Sequence, residues 1–186
     1  MAIFFFTDKS NDMRKIVLAL AVSLEGFIEG PRGEFDWCFT DQDYGMAEFL
    51  KNTDAILYGR KSYELMMGME GGNPFANIKS YVFSNTLKNT AEGFELVSGD
   101  VMAKVRSLTA EAGKNIWLFG GASLTSSLMK EDLVDELWLS IHPILLGAGK
   151  PFVENLEKRT QLELLETKSY STGLLSVRYK VIKKAE

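Results

Sequence analysis

The sequence predicts an α/β domain with a mixed, mostly parallel sheet, helices on both faces of that sheet, and an antiparallel hairpin at the carboxyl-terminal end. Short apolar runs, typical of strands buried on both faces, alternate with segments of helical periodicity. Two further strands close the chain, separated by the turn residues Ser171-Thr172-Gly173, as in a hairpin. The chain has 186 residues, 46% of them hydrophobic and 25% charged, which suits one folded domain.

Local patterns predict the individual elements. The apolar run at 15–22 predicts the first buried strand, and a glycine-rich loop follows from Ser23 to Gly33. Met46, Phe49 and Leu50 recur at helical spacing and predict a short helix at 44–51. The same reasoning predicts strands at 54–58, 81–83, 115–119, 136–145, 162–168 and 174–182, and helices at 61–67, from 101 towards the stop signal Gly113, and after Gly121.

Composition excludes several classes of protein. Cys38 and His142 are the only cysteine and histidine, so the chain can form no internal disulfide, structural zinc site or iron–sulfur cluster, and no metal is expected. The net charge is −4 and no basic run interrupts it, which argues against a nucleic-acid partner. No apolar stretch reaches the roughly 18 residues that cross a bilayer, so no membrane partner is expected.

Residues 1–12 differ in pattern from the rest of the chain. Their apolar block, Ile3 to Phe6, is shorter than the roughly 7–15 apolar residues of a signal peptide. We expect a peripheral extension over 1–12, a single domain over 13–186, and a cytoplasmic protein.

Two strand-to-helix junctions carry glycines that suit phosphate binding. At Gly120-Gly121-Ala122-Ser123-Leu124, the glycines permit close backbone approach and the helix start offers its positive end. At Gly59-Arg60-Lys61-Ser62, two cations oppose the helix dipole unless an anion lies between them. The alternatives are a plain tight turn at the first junction and a solvated basic turn at the second. Together the junctions predict a ligand with more than one phosphate, such as a dinucleotide.

Neither junction is a standard nucleotide fingerprint. Thr125 occupies the position of the third glycine in a G-x-G-x-x-G motif, and Pro151 follows Gly149-Lys150 where a Walker loop needs Ser or Thr. A kinase and a conventional Rossmann dehydrogenase are therefore disfavoured.

Acidic and aromatic residues crowd ahead of the first helix. Asp41 and Asp43 either cap that helix or, like Asp36, offer a carboxylate that faces a heterocycle. The cluster Phe35-Asp36-Trp37-Cys38-Phe39 suits one wall of a pocket for a flat ligand. Cys38 and His142 are the sole candidate thiol–imidazole pair, and we interpret His142 as structural.

Several blocks of the chain resemble dihydrofolate-reductase-like proteins, in the same order. Residues 19–28 resemble their first strand and mobile loop, 54–63 their second strand and the helix start after it, and Phe119-Gly120-Gly121 their cofactor turn. Residues 133–137 and 143–152 resemble a narrower branch, the reductase domain of the bifunctional riboflavin-biosynthesis deaminase-reductase and its free-standing relatives. The resemblance covers residues 14–183 and implies the three-layer sandwich of that superfamily.

The resemblance also implies NADPH as hydride donor, and Arg60 and Lys61 favour NADPH over NADH independently of it. The backbones of Ala19 and Ile28 would flank the nicotinamide. The pyrophosphate would lie on Gly120, Gly121, Ala122, Ser123 and Leu124. The adenosine phosphates and ribose would lie near Gly59, Arg60, Lys61, Ser62, Ser84 and Asn85.

The substrate side follows the resemblance less closely. Trp37 would form part of a wall, and Asp36, Asp43 and Tyr44 compete for the place of the acid in dihydrofolate reductases. Glu25 replaces the Asp usual in the Ser-Leu-Asp-Gly loop of the narrower branch. The full riboflavin enzyme reduces a phosphoribosylamino-pyrimidine.

The sequence therefore predicts an NADPH-dependent reductase of a pyrimidine- or pterin-like heterocycle, resembling 5-amino-6-(5-phosphoribosylamino)uracil reductase. Two alternatives stay open: dihydrofolate reductase proper, which needs a carboxylate in the pterin pocket, and a nucleotide-binding module without turnover. Analogy with the family also suggests a homodimer.

Overall fold

The computed structural model describes residues 14–69 and 73–183, which form ten strands in two sheets and four helices. The strands are β1 (Ile16–Val22), β2 (Phe27–Glu29), β3 (Thr53–Gly59), β4 (Lys79–Phe83), β5 (Phe94–Val97), β6 (Asn115–Gly120), β7 (Glu136–Ile141), β8 (Lys150–Pro151), β9 (Gln161–Ser169) and β10 (Leu175–Ile182). The helices are α1 (Met46–Lys51), α2 (Arg60–Met67), α3 (Val101–Ala110) and α4 (Ala122–Lys130).

The large sheet has the strand order β5-β4-β3-β6-β1-β7-β10-β9. Neighbours from β5 to β7 are parallel, and β10 is antiparallel to both β7 and β9. This confirms the predicted mostly parallel sheet with a carboxyl-terminal hairpin. Because β1, β3, β4 and β6 run in the same direction, the loops that follow them lie at one edge of the sheet, where α/β proteins bind ligands.

Helices cover both faces of the large sheet. Val105 of α3 and Leu128 of α4 belong to one buried cluster, and Met66 of α2 belongs to a second. Successive residues of β6 alternate between the two, since Ile116 lies in the first cluster and Trp117 in the second. The result is the predicted sandwich of three layers, with the sheet in the middle.

Several element boundaries differ from the sequence prediction. β7 ends at Ile141 rather than at 145, because Pro143 has no N–H to continue the ladder. α1 begins at Met46 rather than at 44, since Tyr44 (φ 29°) and Gly45 (φ 94°) have left-handed backbone conformations. The short strands β2, β5 and β8 were not predicted. With three, four and two residues, they are too short for an alternating pattern.

The peripheral extension predicted over 1–12 lies outside the described residues and stays a prediction, as does the single domain over 13–186. No helix within residues 14–69 and 73–183 has the length and apolar character needed to cross a membrane.

Candidate functional site

Two cavities lie at the carboxyl edge of the parallel strands. The first, which we call the apolar cavity, has a volume of about 520 Å³, and aromatic side chains such as Trp117 and Trp138 line it. The second, the polar cavity, has a volume of about 400 Å³ and is lined by the helix starts after β3 and β6 and by the loop after β4. Gly121 and Ala122 line both, so the cavities together form one elongated site with an apolar and a polar end.

The two glycine junctions are in direct backbone contact. A Cβ atom on Gly59 would lie 3.2 Å from the amide nitrogen of Gly121 and 3.3 Å from the carbonyl oxygen of Gly120. A Cβ atom on Gly121 would lie 3.1 Å from Oγ of Ser62. Gly120 has φ +113°, in a region that favours glycine, and the Gly120–Gly121 peptide is cis. Glycine at these positions therefore lets the starts of α2 and α4 come together.

The starts of α2 and α4 offer peptide N–H groups to a ligand. Gly59 is the N-cap of α2 and Gly121 that of α4, and because glycine has no side chain, neither N-cap residue can accept the N–H groups of its helix's first turn through a side chain. The first N–H groups of a helix have no partner inside the helix, so an uncapped start is suited to an anion. Two such starts in contact fit the two phosphates of a pyrophosphate.

Three cations line the polar cavity: Arg60, Lys61 and Lys150. Nη1 of Arg60 donates to both carboxylate oxygens of Glu64, at 2.9 and 3.0 Å. Nζ of Lys150 lies 3.9 Å from Glu29. Lys61 has no ion pair with any other described residue, so its charge is available to a bound anion.

Lys150 is a site residue that sequence reasoning missed. Its place in the polar cavity depends on the two-stranded sheet, in which β8 pairs with β2. The pairing is tight, since a Cβ atom on Gly149 would clash with the carbonyl oxygen of Glu29. The only sequence signal was the block 143–152 quoted for the family resemblance.

Ser84 and Asn85 line the polar cavity through the loop after β4. Oγ of Ser84 accepts the N–H groups of Thr86, at 3.1 Å, and Leu87, at 3.0 Å. Oδ1 of Asn85 accepts the N–H of Gly99 at 2.9 Å. These bonds hold the loop in the turn that forms part of the cavity wall.

All the residues predicted to bind a cofactor line one of the two cavities. Those of the polar cavity are Gly59, Arg60, Lys61, Ser84, Asn85, Gly121, Ala122, Ser123 and Leu124. Those of the apolar cavity are Ala19, Ile28, Ser62 and Gly120, with Gly121 and Ala122 shared.

The predicted acid candidates are placed differently from one another. Asp43 and Tyr44 line the apolar cavity, whereas Asp36 is exposed and lines neither cavity. Oδ1 of Asp43 accepts the N–H of Ala47 at 2.8 Å, so this carboxylate also caps the first turn of α1.

Within residues 14–69 and 73–183, no three His, Cys, Asp or Glu side chains are grouped so as to hold a metal ion.

Tyr44 is tied to its surroundings at the mouth of the apolar cavity. Its hydroxyl donates to Oδ1 of Asp41 at 2.7 Å and lies 3.2 Å from Oγ1 of Thr172. The hydrogen bond from Tyr44 lowers the pKa of Asp41 below its usual value. Asp41 therefore binds Tyr44 instead of capping α1.

His142 is a buried residue in the wall of the apolar cavity, and it holds the loop that carries Phe39. Its Nδ1 lies 3.0 Å from the carbonyl oxygen of Ser140, and its Nε2 accepts the N–H of Phe39 at 3.0 Å. These two bonds require a neutral ring with its proton on Nδ1. Burial lowers the pKa of His142, which favours the same neutral form. The geometry fits the structural interpretation of this residue.

The structure does not favour Cys38 as a reactive thiol or Trp37 as part of the cavity wall. Burial raises the pKa of the Cys38 thiol to about 11, and the charge of Asp36 adds to that effect, so no thiolate is available at neutral pH. Nε2 of His142 is already bound to Phe39. The Trp37 ring packs edge-on against His142, with ring centroids 5.2 Å apart, and lines neither cavity; Phe35 and Phe39 form the wall instead.

Glu25 binds the glycine-rich loop to the segment after β7. Its carboxylate accepts the N–H of Leu146 at 2.6 Å and that of Gly147 at 3.1 Å. The N–H of Leu24 donates to the carbonyl oxygen of Ile144 at 3.0 Å. The longer side chain at the Asp position of the narrower branch therefore anchors a loop that the sequence predicts to be mobile.

Comparison with known proteins assigns the family. The model of the RibD C-terminal domain matches residues 14–176. Uncharacterized protein YyaP of Bacillus subtilis (strain 168) is 40% identical over 177 residues, which cover 89% of this chain and 94% of YyaP. The structure of a putative riboflavin biosynthesis protein from Shewanella sp. PV-4 superposes with a TM-score of 0.82 at 25% identity, covering 91% of this chain and 99% of the other.

The fold extends to dihydrofolate reductases. That of Schistosoma mansoni superposes with a TM-score of 0.65 at 16% identity, covering 91% of this chain and 100% of the other. The architecture, the two glycine junctions and these matches agree: the chain belongs to the RibD C-terminal domain family, whose fold is dihydrofolate-reductase-like.

Proposed function

We propose that this chain is an NADPH-dependent reductase that passes a hydride to a C=N or C=O bond of a pyrimidine- or pterin-like heterocycle. The observation that carries the proposal is the elongated site, in which a phosphate-compatible polar end joins an apolar end of about 520 Å³. That volume lies within the range of small-molecule sites. Membership of the RibD C-terminal domain family supports reductase chemistry.

The cofactor would lie along both cavities. Gly59 and Gly121, with the helix starts that follow them, would hold the pyrophosphate, and Lys61 would meet the additional phosphate of NADPH. Ala19 and Ile28, which line the apolar cavity, would flank the nicotinamide. When bound, the reduced nicotinamide supplies the hydride.

The substrate also needs a proton, which we assign to the mouth of the apolar cavity. Asp43 and Tyr44 line that cavity and are in position to donate a proton or to orient the water that does. Asn at position 43 would keep an oxygen for the N–H of Ala47 but lose the acid. We therefore expect Asp43→Asn to retain the fold and cofactor binding while lowering kcat if this group supplies the proton.

Dihydrofolate reduction proper is the second candidate. The shared fold and the carboxylate of Asp43 on the wall of the apolar cavity favour it. A reductase of either kind draws on the NADPH pool of the cytoplasm, where the Cys38 thiol would also stay reduced, so we propose that location.

We also propose a homodimer through strand β9. This strand lies at the edge of the large sheet, all nine of its residues are exposed, and Leu162, Leu164 and Leu165 are 42%, 55% and 46% exposed. An exposed edge strand that carries three leucines invites pairing with another strand, and a two-fold axis lets the same strand of a second copy meet it. Sedimentation should give twice the chain mass, and Leu164→Lys should give the single mass; a single mass for the unmodified protein would contradict the proposal.

The catalytic proposal is tested by NADPH oxidation over a panel of pyrimidines, pterins and dihydrofolate. We expect at least one heterocycle to raise the rate above the substrate-free rate, with NADPH preferred to NADH. Tight NADPH binding without substrate-dependent oxidation across the panel would instead favour a binding module without turnover.

A further inference from the structure

We propose that the apolar cavity selects heterocycles that carry no phosphate group. This inference rests on the proposed function, in which the cofactor takes the polar cavity and the substrate the apolar one. It would separate this chain from the phosphoribosylamino-pyrimidine reductase that it resembles. The observation that carries it is the division of charges between the two cavities.

The cations of the site lie on the cofactor side. Arg60, Lys61 and Lys150 line the polar cavity, while no Lys or Arg among the described residues lines the apolar cavity. Proteins hold a phosphate with Arg, Lys or helix N–H groups, so the first of these means is missing from the substrate side.

The charges that line the apolar cavity are carboxylates, Glu29 and Asp43. Glu29 lies 3.9 Å from Lys150, which lines the other cavity, so this pair marks the boundary between the two. Asp43 has no cationic partner among the described residues. A phosphate dianion brought near Asp43 would meet a like charge, which raises the cost of binding it.

Helix starts do not make up for the missing cations. α1 begins at the wall of the apolar cavity, where Met46 is a lining residue, but the Asp43 carboxylate already accepts the N–H of Ala47 at 2.8 Å. The starts of α2 and α4 contribute Ser62 and Gly121 to the apolar cavity, but both starts also line the polar cavity and would be taken by the cofactor pyrophosphate. No helix start of the described chain is left for a second phosphate in this cavity.

The remaining polar groups suit an uncharged heterocycle. Ser140 and Thr125 line the apolar cavity among aromatic side chains. Thr125 is 1% exposed, and its Oγ1 has no hydrogen-bond partner in the part of the chain that the structure describes. That oxygen is almost inaccessible, so it adds no polar group that a substrate in the cavity would reach.

Two matched pairs of compounds test the inference. The first is 5-amino-6-ribosylaminouracil and its 5′-phosphate, and the second is dihydroneopterin and its monophosphate. Binding is followed by quenching of tryptophan fluorescence in protein saturated with NADP⁺, because Trp117 and Trp138 line the apolar cavity and no turnover is needed. In at least one pair, we expect the phosphate-free compound to bind roughly tenfold more tightly or better. Equal or tighter binding of the phosphorylated member in both pairs, or no binding of any of the four compounds, would overturn the inference.

A variant that adds a cation tests the electrostatic cause. Gln42 lines the apolar cavity and is exposed, and none of the proposed steps uses it. Gln42→Arg should raise the affinity for the phosphorylated member of a pair and so reduce the difference in affinity between the two members. Gln42→Met, the uncharged control, should leave that difference unchanged. An unchanged difference in Gln42→Arg would contradict the electrostatic explanation. Failure of the unmodified protein to bind NADP⁺, measured separately, would refute the proposed function instead.

Discussion

Removal of the Lys61 ammonium group should reduce the proposed preference of this protein for NADPH over NADH. Lys61 lines the polar cavity and has no ion pair with other described residues, whereas the neighbouring Arg60 donates twice to Glu64. Lys61 is therefore the cation of this junction whose charge is most open to a ligand phosphate. The substitution Lys61→Ala removes that charge and keeps a good helix former in the first turn of α2.

The size of the effect follows from the exposure of the side chain. Two unit charges about 4 Å apart interact by about 1 kcal/mol in water and about 4 kcal/mol near a protein surface with an effective dielectric constant of about 20. Because Lys61 is exposed, the lower half of that range applies, about 1 to 2 kcal/mol. That corresponds to roughly 5- to 30-fold weaker binding of NADPH. NADH lacks the additional phosphate and should bind the variant within about twofold of the unmodified protein.

Calorimetric titration with both nucleotides at low ionic strength measures these dissociation constants. Arg60→Ala should weaken NADPH less than Lys61→Ala, since Glu64 already neutralises part of the guanidinium charge. Lys158→Ala, at an exposed lysine outside both cavities, is the matched control and should change neither constant. Equal weakening of NADH and NADPH by Lys61→Ala, or no weakening of either, would refute the placement of the additional phosphate at this residue.

Two further substitutions test the backbone and the loop of the site. Gly59→Ala places a Cβ atom 3.2 Å from the amide nitrogen of Gly121 and should weaken NADPH binding about tenfold, because it forces the two junctions apart. In the control Gly68→Ala, the added Cβ atom meets nothing closer than 3.5 Å, and NADPH binding should not change. Burial lowers the pKa of His142 in the folded protein below its ordinary value of 6.5. Below about pH 6.5 the unfolded chain therefore binds a proton that the folded protein does not. The contribution of His142 to the free energy of unfolding is thus fully present above that pH and is lost as the pH falls. His142→Gln can still accept the N–H of Phe39, so its melting temperature should fall less between about pH 7 and pH 5 than that of the unmodified protein; equal slopes would show that His142 does not cause the loss.

The sequence predicted the glycine junctions because their signals are local. Each is a buried strand followed by glycine and then by a helix start, and the direction of parallel strands brings such junctions to one edge of the sheet. The direct contact of Gly59 with Gly120 and Gly121 then follows from the pairing of β3 with β6. Lys150 could not be found in this way, because its position depends on the short pairing of β2 with β8.

The substrate side was less predictable because an irregular loop forms it. The sequence shows an aromatic cluster ahead of α1 but not which of its rings point into the cavity: Phe35 and Phe39 do, whereas Trp37 packs on His142. The strand alternation that orients side chains in a sheet does not apply there. Asp43 was predicted both as a cap and as an acid, and its geometry is compatible with both, since it caps α1 from the cavity wall.

Energy transfer from tryptophan to bound NADPH tests the central claim, that one elongated site holds the cofactor with its nicotinamide in the apolar cavity. Trp117 and Trp138 line that cavity, so a nicotinamide bound there would lie beside both. The account predicts saturable quenching of tryptophan emission with matching sensitised nicotinamide emission, at lower concentrations of NADPH than of NADH. Absence of sensitised emission at NADPH concentrations far above those in cells would contradict the account.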